Sequence, residues 1–226
     1  MVLRLYRLLT LEQPRGYVVF PTAYMPPVIY FALLLKCDAI AIETQETYLK
    51  QTWRNRAAIL TAQGALELSI PVIKPYGNKT TTLDVQIDTT QKWQNLHWRA
   101  IESAYNKSPY FLYYKDAIKS LIYSDETYLL EYNIAFLEFF LSCFKIEKDI
   151  TVTEEYIYLP EEEDLRTLLS PKKLPLLSLE RFPAYYQVFS DRFPFFPNLS
   201  VLDLLVNEGP EGMDYLIELV SLIGEF

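Results

Sequence analysis

A chain of 226 residues with 50% hydrophobic residues can bury a substantial core. Its 6 Gly form neither a G-x-G-x-x-G loop nor a Walker-type loop, its single histidine excludes a metal site built from several imidazoles, and its 2 Cys are too few for a disulfide framework. The net charge of −8 is uneven, with +5 in residues 1–120 and −13 in residues 121–226, which argues against broad nucleic-acid binding but leaves room for one local anion site in the first half.

The first predicted elements form a βαβ unit. Tyr17–Phe20 is typical of a buried strand, a proline-containing loop follows it, and the apolar residues after that loop predict a helix from about Val28 to Lys36. Asp38–Glu43 has the apolar pattern of a second strand. Because strands joined by a helix pair in parallel, we expect a small parallel sheet.

Residues 16–35 carry no charge and are long enough to span a bilayer. Pro21, Pro26 and Pro27 would break a helix there, so we predict a buried strand, a loop and a helix instead of a membrane span. The N-terminus lacks the continuous apolar core and the cleavage site of a signal peptide, and the two cysteines fit a reducing compartment. A cytoplasmic location is therefore expected.

A hairpin is predicted next. Arg56–Leu60 and Leu66–Val72 flank a turn at Gln63-Gly64, and Pro71 should end the second strand or lie at a sheet edge. A polar loop then leads to a short strand at Leu83–Ile87.

The middle of the chain is predicted to be helical. One helix should cover Gln91–Tyr105, and Ser108 with Pro109 has the pattern of an N-cap followed by the first residue of a second helix. A third helix is expected from Asp125 to about Lys145, where apolar residues surround most of the circumference. It should be the buried centre of a helical layer.

The C-terminal part has weaker patterns. Strands are expected at Thr151–Leu159 and Tyr185–Phe189, with an irregular segment at Ser170–Pro183 between them. Ser200 with Asp203 fits an N-capping pattern, better than it fits a catalytic pair, and a final helix is predicted over residues 211–222.

These elements predict an α/β fold, with a small mixed, partly parallel sheet, a helical layer and a C-terminal helical extension. We expect a single domain over residues 1–226. Residues 1–15 would be an N-terminal extension, and residues 150–226 an elaboration packed on the core.

His97 is the candidate catalytic residue. On a helix it shares one face with Trp93 and Ile101, which would desolvate the imidazole and hold it rigid. Its neutral form could then accept a proton from a sugar hydroxyl or an amine. The alternative is a core histidine that packs there with a satisfied hydrogen bond.

The basic residues after the second strand are candidate ligands for an anion. If their segment is extended, Arg54 and Arg56 lie on one side and could bind a phosphate or carboxylate in a bidentate manner, while Lys74 approaches from the loop beyond the hairpin. Asn55 could add an amide contact or cap a turn. A solvated basic surface is the competing interpretation.

Tyr24 lies in the loop just after the first strand. In an open α/β sheet, ligands collect beyond the carboxyl ends of the strands, so Tyr24 would line a site there. If the sheet is not parallel, Tyr24 only packs the loop. No pattern for a metal or cofactor is found in the sequence.

Several segments, in this order, resemble the WbqC-like protein family over most of the chain, from about Tyr17 to Leu219. The matching residues are Pro26–Ala32, Tyr48–Gln51, Arg54–Arg56, Leu68–Val72, Trp93–His97 with Ile101 and Tyr105, Ser108–Phe111, Asn198–Leu205 and Gly209-Pro210. The Trp93–His97 segment is similar to that family's W-x-x-x-H helix. Arg56 and Ala57 stand where many members have another polar residue or a cysteine, which leaves the site chemistry open.

The resemblance implies a function. Members of this bacterial family are largely uncharacterised, are encoded among O-antigen and other surface-polysaccharide genes, and have been suggested to be transferases, with glycine transfer onto a sugar as one reaction. We therefore expect an acyl-type or glycyl-type group transferase that acts on a sugar or nucleotide-sugar and uses an activated acyl or aminoacyl donor. The alternatives are a noncatalytic sugar-binding or assembly-partner protein of the same pathway and, with less support, a nucleotidyltransferase-like activity.

Overall fold

The structure, a computed structural model, describes residues 16–161, 164–171 and 182–224. The strands are β1 (Val18–Pro21), β2 (Ala39–Glu43), β3 (Arg56–Thr61), β4 (Gly64–Ser69), β5 (Val72–Ile73), β6 (Gln86–Ile87) and β7 (Asp149–Val152). The helices are α1 (Val28–Leu35), α2 (Trp93–Tyr105), α3 (Phe111–Ile122), α4 (Leu129–Cys143), α5 (Leu165–Leu168), α6 (Val201–Glu208) and α7 (Gly212–Gly224). The expected N-terminal extension and most of the irregular segment at Ser170–Pro183 lie outside the described residues.

The α/β fold is confirmed by a three-stranded parallel sheet in the order β1-β2-β7. In its register Val18 lies opposite Ile40, and Ile40 lies opposite Ile150. The βαβ prediction is therefore correct, and the strand expected at Thr151–Leu159 is shorter and begins earlier, at Asp149. The antiparallel strands form two separate ladders, β3-β4 and β5-β6. The carboxyl ends of all three parallel strands meet at one edge of the sheet.

Helix α1 is buried on every side because all of its residues are apolar. It packs against α6 and α7, so the C-terminal helices cover one face of α1. Its first backbone N–H groups are satisfied from far along the chain: Val28 N donates to Leu199 O at 3.0 Å, and Ile29 N donates to Asn198 Oδ1 at 2.9 Å.

Three helices begin later than expected, and the first of them, α2, begins at Trp93 instead of Gln91. Helix α3 begins at Phe111 with Tyr110 as its N-cap, not with Ser108 and Pro109. Helix α4 begins at Leu129 instead of Asp125, because residues 127–129 bond to the strand region around β6. Ile87 N donates to Thr127 O and Leu129 N donates to Val85 O, each at 2.9 Å, which holds the segment extended.

The strand expected at Tyr185–Phe189 is wrong. The side chain of Gln187 accepts from Phe196 N and donates to Phe196 O, each at 3.0 Å, and so closes a loop in place of a strand ladder. The strand expected at Leu83–Ile87 is reduced to β6, because Leu83 N donates instead to Thr44 O at 2.9 Å.

The C-terminal capping prediction is half correct. Ser200 Oγ accepts from Leu202 N at 3.2 Å and caps α6. Asp203 does not complete a capping box, because Ser200 N donates to Ala58 O and the Asp203 side chain is buried against Tyr185. The final helix is confirmed as α7.

Candidate functional site

His97 lies in an aromatic cluster beneath the loop that follows β1. Helix α2 directs Trp93 and His97 to its buried face, and the ring centroids of these two residues are 5.0 Å apart. Tyr24 stacks on the imidazole at 5.7 Å, with its hydroxyl 3.0 Å from His97 Nδ1. The structure therefore brings together three of the predicted site residues, Tyr24, Trp93 and His97.

The cluster keeps its polar groups neutral. Burial lowers the pKa of His97 to about 4, although a hydrogen bond with the Ser69 backbone opposes that change. Burial also raises the pKa of Tyr24 well above its ordinary value. At neutral pH an uncharged imidazole therefore meets an uncharged phenol. Only 4% of His97 is exposed, so a substrate does not reach the ring from solvent in this conformation.

Arg54 forms a buried ion pair with Glu46. It is buried, and its Nε and Nη2 donate to the two carboxylate oxygens of Glu46 at 2.7 Å each, while Nη1 donates to Thr52 Oγ1 at 3.2 Å. Asn55 is also used internally, because its Nδ2 donates to Ile70 O at 2.8 Å. Both side chains stabilise the turn between β2 and β3.

Arg56 and Lys74 lie nearer the surface. Arg56 pairs across the β3-β4 ladder with Glu67 at 2.7 Å, and Lys74 Nζ donates to Asn78 Oδ1 at 3.0 Å. The segment before β3 is a turn rather than extended chain, so Arg54 faces the interior while Arg56 is partly exposed. The predicted anion ligands thus each have a different protein partner.

A second group of buried charges, which sequence reasoning missed, closes the carboxyl edge of the parallel sheet. Glu43 ends β2 and is fully buried. Its Oε2 accepts from Arg166 Nη1 at 2.7 Å and its Oε1 accepts from Thr153 Oγ1 at 2.8 Å. Arg166 also donates through Nε to Asp164 Oδ1 and through Nη2 to Ile157 O, each at 2.7 Å. The guanidinium therefore ties β2 to the chain that follows β7.

A cleft of about 400 Å³ opens beside these charges. Its lining residues are Gln45, Glu46, Thr47, Leu49, Tyr156, Tyr158, Asp164, Arg166 and Thr167. Tyr156 packs edge-to-face on Tyr158 and covers the Arg166 guanidinium at 4.6 Å. Tyr158 is 85% exposed. We call this the carboxylate–tyrosine cleft.

Burial raises the pKa of Glu46, although Arg54 opposes that change. Carboxylate and amide oxygens accept hydrogen bonds from hydroxyl groups, and an exposed tyrosine ring packs on the C–H face of a ring-shaped ligand. The arrangement is therefore suited to binding a polyhydroxylated molecule. Sequence signals for it existed in Asp164-x-Arg166 and in the tyrosines at 156 and 158, but nothing linked them to Glu43.

Within the described ranges, no three His, Cys, Asp or Glu side chains are grouped so that they could hold a metal ion. No helix in that part of the chain has the length and apolar character needed to cross a membrane.

Fold and site together define a small parallel α/β protein with a cleft at the carboxyl edge of its sheet. The chain belongs to the WbqC-like protein family, whose sequence model matches residues 22–174. It is also similar to the uncharacterised protein Rv1507c of Mycobacterium tuberculosis H37Rv, with 27% identity over 224 residues that cover 85% of this chain and 94% of that protein. No solved structure is significantly similar to the present chain. The family match contains the His97 motif and ends before the C-terminal element at Asn198.

Proposed function

We propose that this protein binds a sugar of surface-polysaccharide biosynthesis in the carboxylate–tyrosine cleft. One observation carries the proposal: two partly or largely exposed tyrosines face two carboxylates and a guanidinium at the carboxyl edge of a parallel sheet. Ligands of open α/β sheets collect at that edge. Membership of the WbqC-like family supports a role in polysaccharide chemistry, because family members are encoded among such genes.

The charges of the cleft favour a neutral or cationic sugar group over a phosphate. The Arg166 guanidinium already donates to Glu43, Asp164 and Ile157 O, and that of Arg54 to Glu46 and Thr52. Both carboxylate oxygens of Glu46 accept from Arg54, and Oδ1 of Asp164 accepts from Arg166, so Oδ2 of Asp164 is the charged acceptor left at the wall among the described residues. Hydroxyl or ammonium groups of a hexose or hexosamine match such acceptors, whereas a phosphate would be repelled.

Group transfer onto a sugar is the second candidate function, with His97 as the base. Because His97 does not line the carboxylate–tyrosine cleft, this function requires a sugar group at the aromatic cluster around His97. The observation that favours it is a neutral imidazole, with a pKa lowered to about 4, hydrogen-bonded to Tyr24. Such an imidazole is unprotonated at neutral pH, although a pKa of about 4 makes it a weaker base than an ordinary histidine. In this scheme it takes the proton of the sugar hydroxyl or amine as that group attacks the donor carbonyl, and the donor's leaving group departs with the electrons of the bond that breaks. In this scheme the partly exposed Lys74 and Arg56 would hold the anionic part of an acyl or aminoacyl donor. Because His97 is buried, sugar binding is the first candidate function and group transfer is the second.

The test is a binding screen of hexoses, hexosamines and nucleotide-sugars by ligand-detected NMR, followed by calorimetry on any hit. Tyr158→Ala should weaken binding by at least about fivefold, because a stacking contact is lost. Tyr113→Ala is the matched control, since Tyr113 is 82% exposed on α3 outside the cleft. Equal affinities for wild type and Tyr158→Ala would overturn the proposal.

The two candidate functions separate with one further variant. If transfer occurs, His97→Gln should abolish product formation, followed by mass spectrometry of the sugar, while sugar binding is retained. A pure binding protein gives no product with any activated acyl or aminoacyl donor, and His97→Gln leaves its affinity unchanged.

A further inference from the structure

A second and larger cleft, of about 740 Å³, lies between α2, the start of α3 and residues 188–192. Its lining residues are Ala62, Arg99, Glu102, Ser103, Ala104, Asn106, Lys107, Lys115, Val188, Phe189 and Arg192. Four of them are cationic and one is acidic, in a chain whose net charge is −8. The cleft shares no lining residue with the carboxylate–tyrosine cleft. We call it the basic cleft.

Three of its four cations are available to a ligand. Lys115 pairs with Glu102 at 2.6 Å, which leaves no acidic group in the cleft wall for the others. Within the part of the chain that the structure describes, the side chains of Arg99 and Lys107 form neither a hydrogen bond nor an ion pair. Arg192 has only a long contact of 3.9 Å with the exposed Asp191. These three side chains differ from those of Arg54 and Arg166, which form ion pairs with buried carboxylates.

The remaining wall is chemically mixed. Ser103 and Asn106 are exposed and offer a hydroxyl and an amide, whereas Val188 and Phe189 are half-buried and apolar. A ligand that fits such a wall carries negative charge at one end and an apolar or aromatic group at the other. The volume lies within the range usual for small-molecule sites.

We propose that the basic cleft binds a phosphate-bearing small molecule of nucleotide size. The planar fork of Arg99 suits bidentate binding of a phosphate, and Lys107 and Arg192 supply further charge for a second phosphate. Phe189 provides a surface for a base or another apolar group. A nucleic acid fits less well, because three free cations would release few counterions from its phosphates. The C-terminal half of the chain also has a net charge of −13, which repels a polyanion.

The experiment measures binding of UDP, ADP, inorganic pyrophosphate, uridine and a single-stranded RNA of about 20 nucleotides by calorimetry at low and moderate salt. The full chain is compared with Arg99→Gln/Lys107→Gln. Both side chains are exposed, so the variant should fold normally. Lys50→Gln/Lys79→Gln is the matched control, because it removes the same charge from exposed positions outside the cleft.

A diphosphate that binds the wild type and the control equally, but binds the Arg99→Gln/Lys107→Gln variant about tenfold more weakly or worse, supports the proposal. Tighter binding of UDP or ADP than of pyrophosphate identifies a nucleotide, and equal binding identifies the diphosphate alone as the recognised group. Three results would overturn it: no binding of any diphosphate, equal weakening in both variants, or tighter binding of RNA than of every small ligand. None of these depends on sugar binding in the other cleft, so the two proposals fail separately.

Discussion

Burial moves the pKa values of His97 and Asp203 in ways that have opposite effects on stability. Burial lowers the pKa of His97 from 6.5 to about 4, because the charged imidazolium is disfavoured. Burial raises the pKa of Asp203 from 3.8 to about 6, although the hydroxyl of Tyr185 at 2.6 Å opposes that change. Both groups therefore titrate between pH 4 and 6.5, and their contributions to the free energy of unfolding should nearly cancel there.

Replacement of His97 should reveal the contribution of His97 to the pH dependence of the free energy of unfolding. Between pH 6.5 and about 4 the unfolded chain binds a proton at His97 that the folded chain does not, so acid removes stability. A His97→Gln variant does not lose stability in this way, because glutamine does not titrate. Relative to wild type, its free energy of unfolding should rise by about 3 kcal/mol between pH 7 and pH 4. Urea denaturation across this range measures the difference, and parallel curves for the two proteins would contradict a buried neutral imidazole.

Asp203→Asn should show the opposite sign. The folded chain binds a proton at Asp203 below pH 6 while the unfolded chain stays ionised down to about 3.8, so this residue adds stability as the pH falls. The variant lacks that gain. Its free energy of unfolding should fall relative to wild type by about 3 kcal/mol between pH 7 and pH 4, measured by the same denaturation series. If the free energies of unfolding of the variant and of wild type change with pH in the same way, Asp203 is ionised when buried.

The Glu43–Arg166 pair holds the end of β2 to the segment after β7. Glu43→Ala should lower the free energy of unfolding by about 3–5 kcal/mol, because it leaves a buried guanidinium without one carboxylate partner and leaves the N–H of Ile157 without its acceptor. Urea denaturation measures the change. The matched control is Glu67→Ala, which breaks the half-exposed pair with Arg56 and should cost at most about 1 kcal/mol. Equal losses would mean that burial of the pair has no energetic consequence.

Local sequence patterns predicted the elements whose hydrogen bonds are local. The βαβ unit follows from two apolar strands around a proline-started helix, and the β3-β4 hairpin follows from the turn at Gly64, where φ is +105°. The start of α4 depends instead on the backbone of Val85, 44 residues before Leu129, and the loop at Gln187 depends on the backbone of Phe196, nine residues further on. No local period encodes those partners.

The same distinction applies to the candidate site. Trp93 and His97 are four residues apart on one helix, so their contact could be predicted from periodicity. Glu43 and Arg166 are 123 residues apart, and the carboxylate–tyrosine cleft exists only because the parallel pairing of β7 with β2 places them together. Arg54 was predicted as a free ligand because its partner Glu46 becomes close only through the turn between them.

Across the molecule, the N-terminal and C-terminal halves share one core. Val201 N donates to Pro26 O and Ser200 N donates to Ala58 O, each at 2.8 Å, while β7 extends the sheet and α7 covers α1. The buried apolar residues of both halves belong to one continuous cluster. Loss of the C-terminal part would expose the face of α1 that α6 and α7 cover and leave its first N–H groups without partners.

The chain should therefore unfold in one cooperative transition. All three Trp lie between residues 53 and 98, so tryptophan fluorescence reports the N-terminal part, whereas far-ultraviolet circular dichroism also reports α6 and α7. The two probes should give the same urea midpoint. A chain truncated after Ile146 should show no cooperative transition, since it lacks β7 and the cover of α1. Separate midpoints, or a truncated chain that melts cooperatively, would instead make residues 150–226 an independent unit.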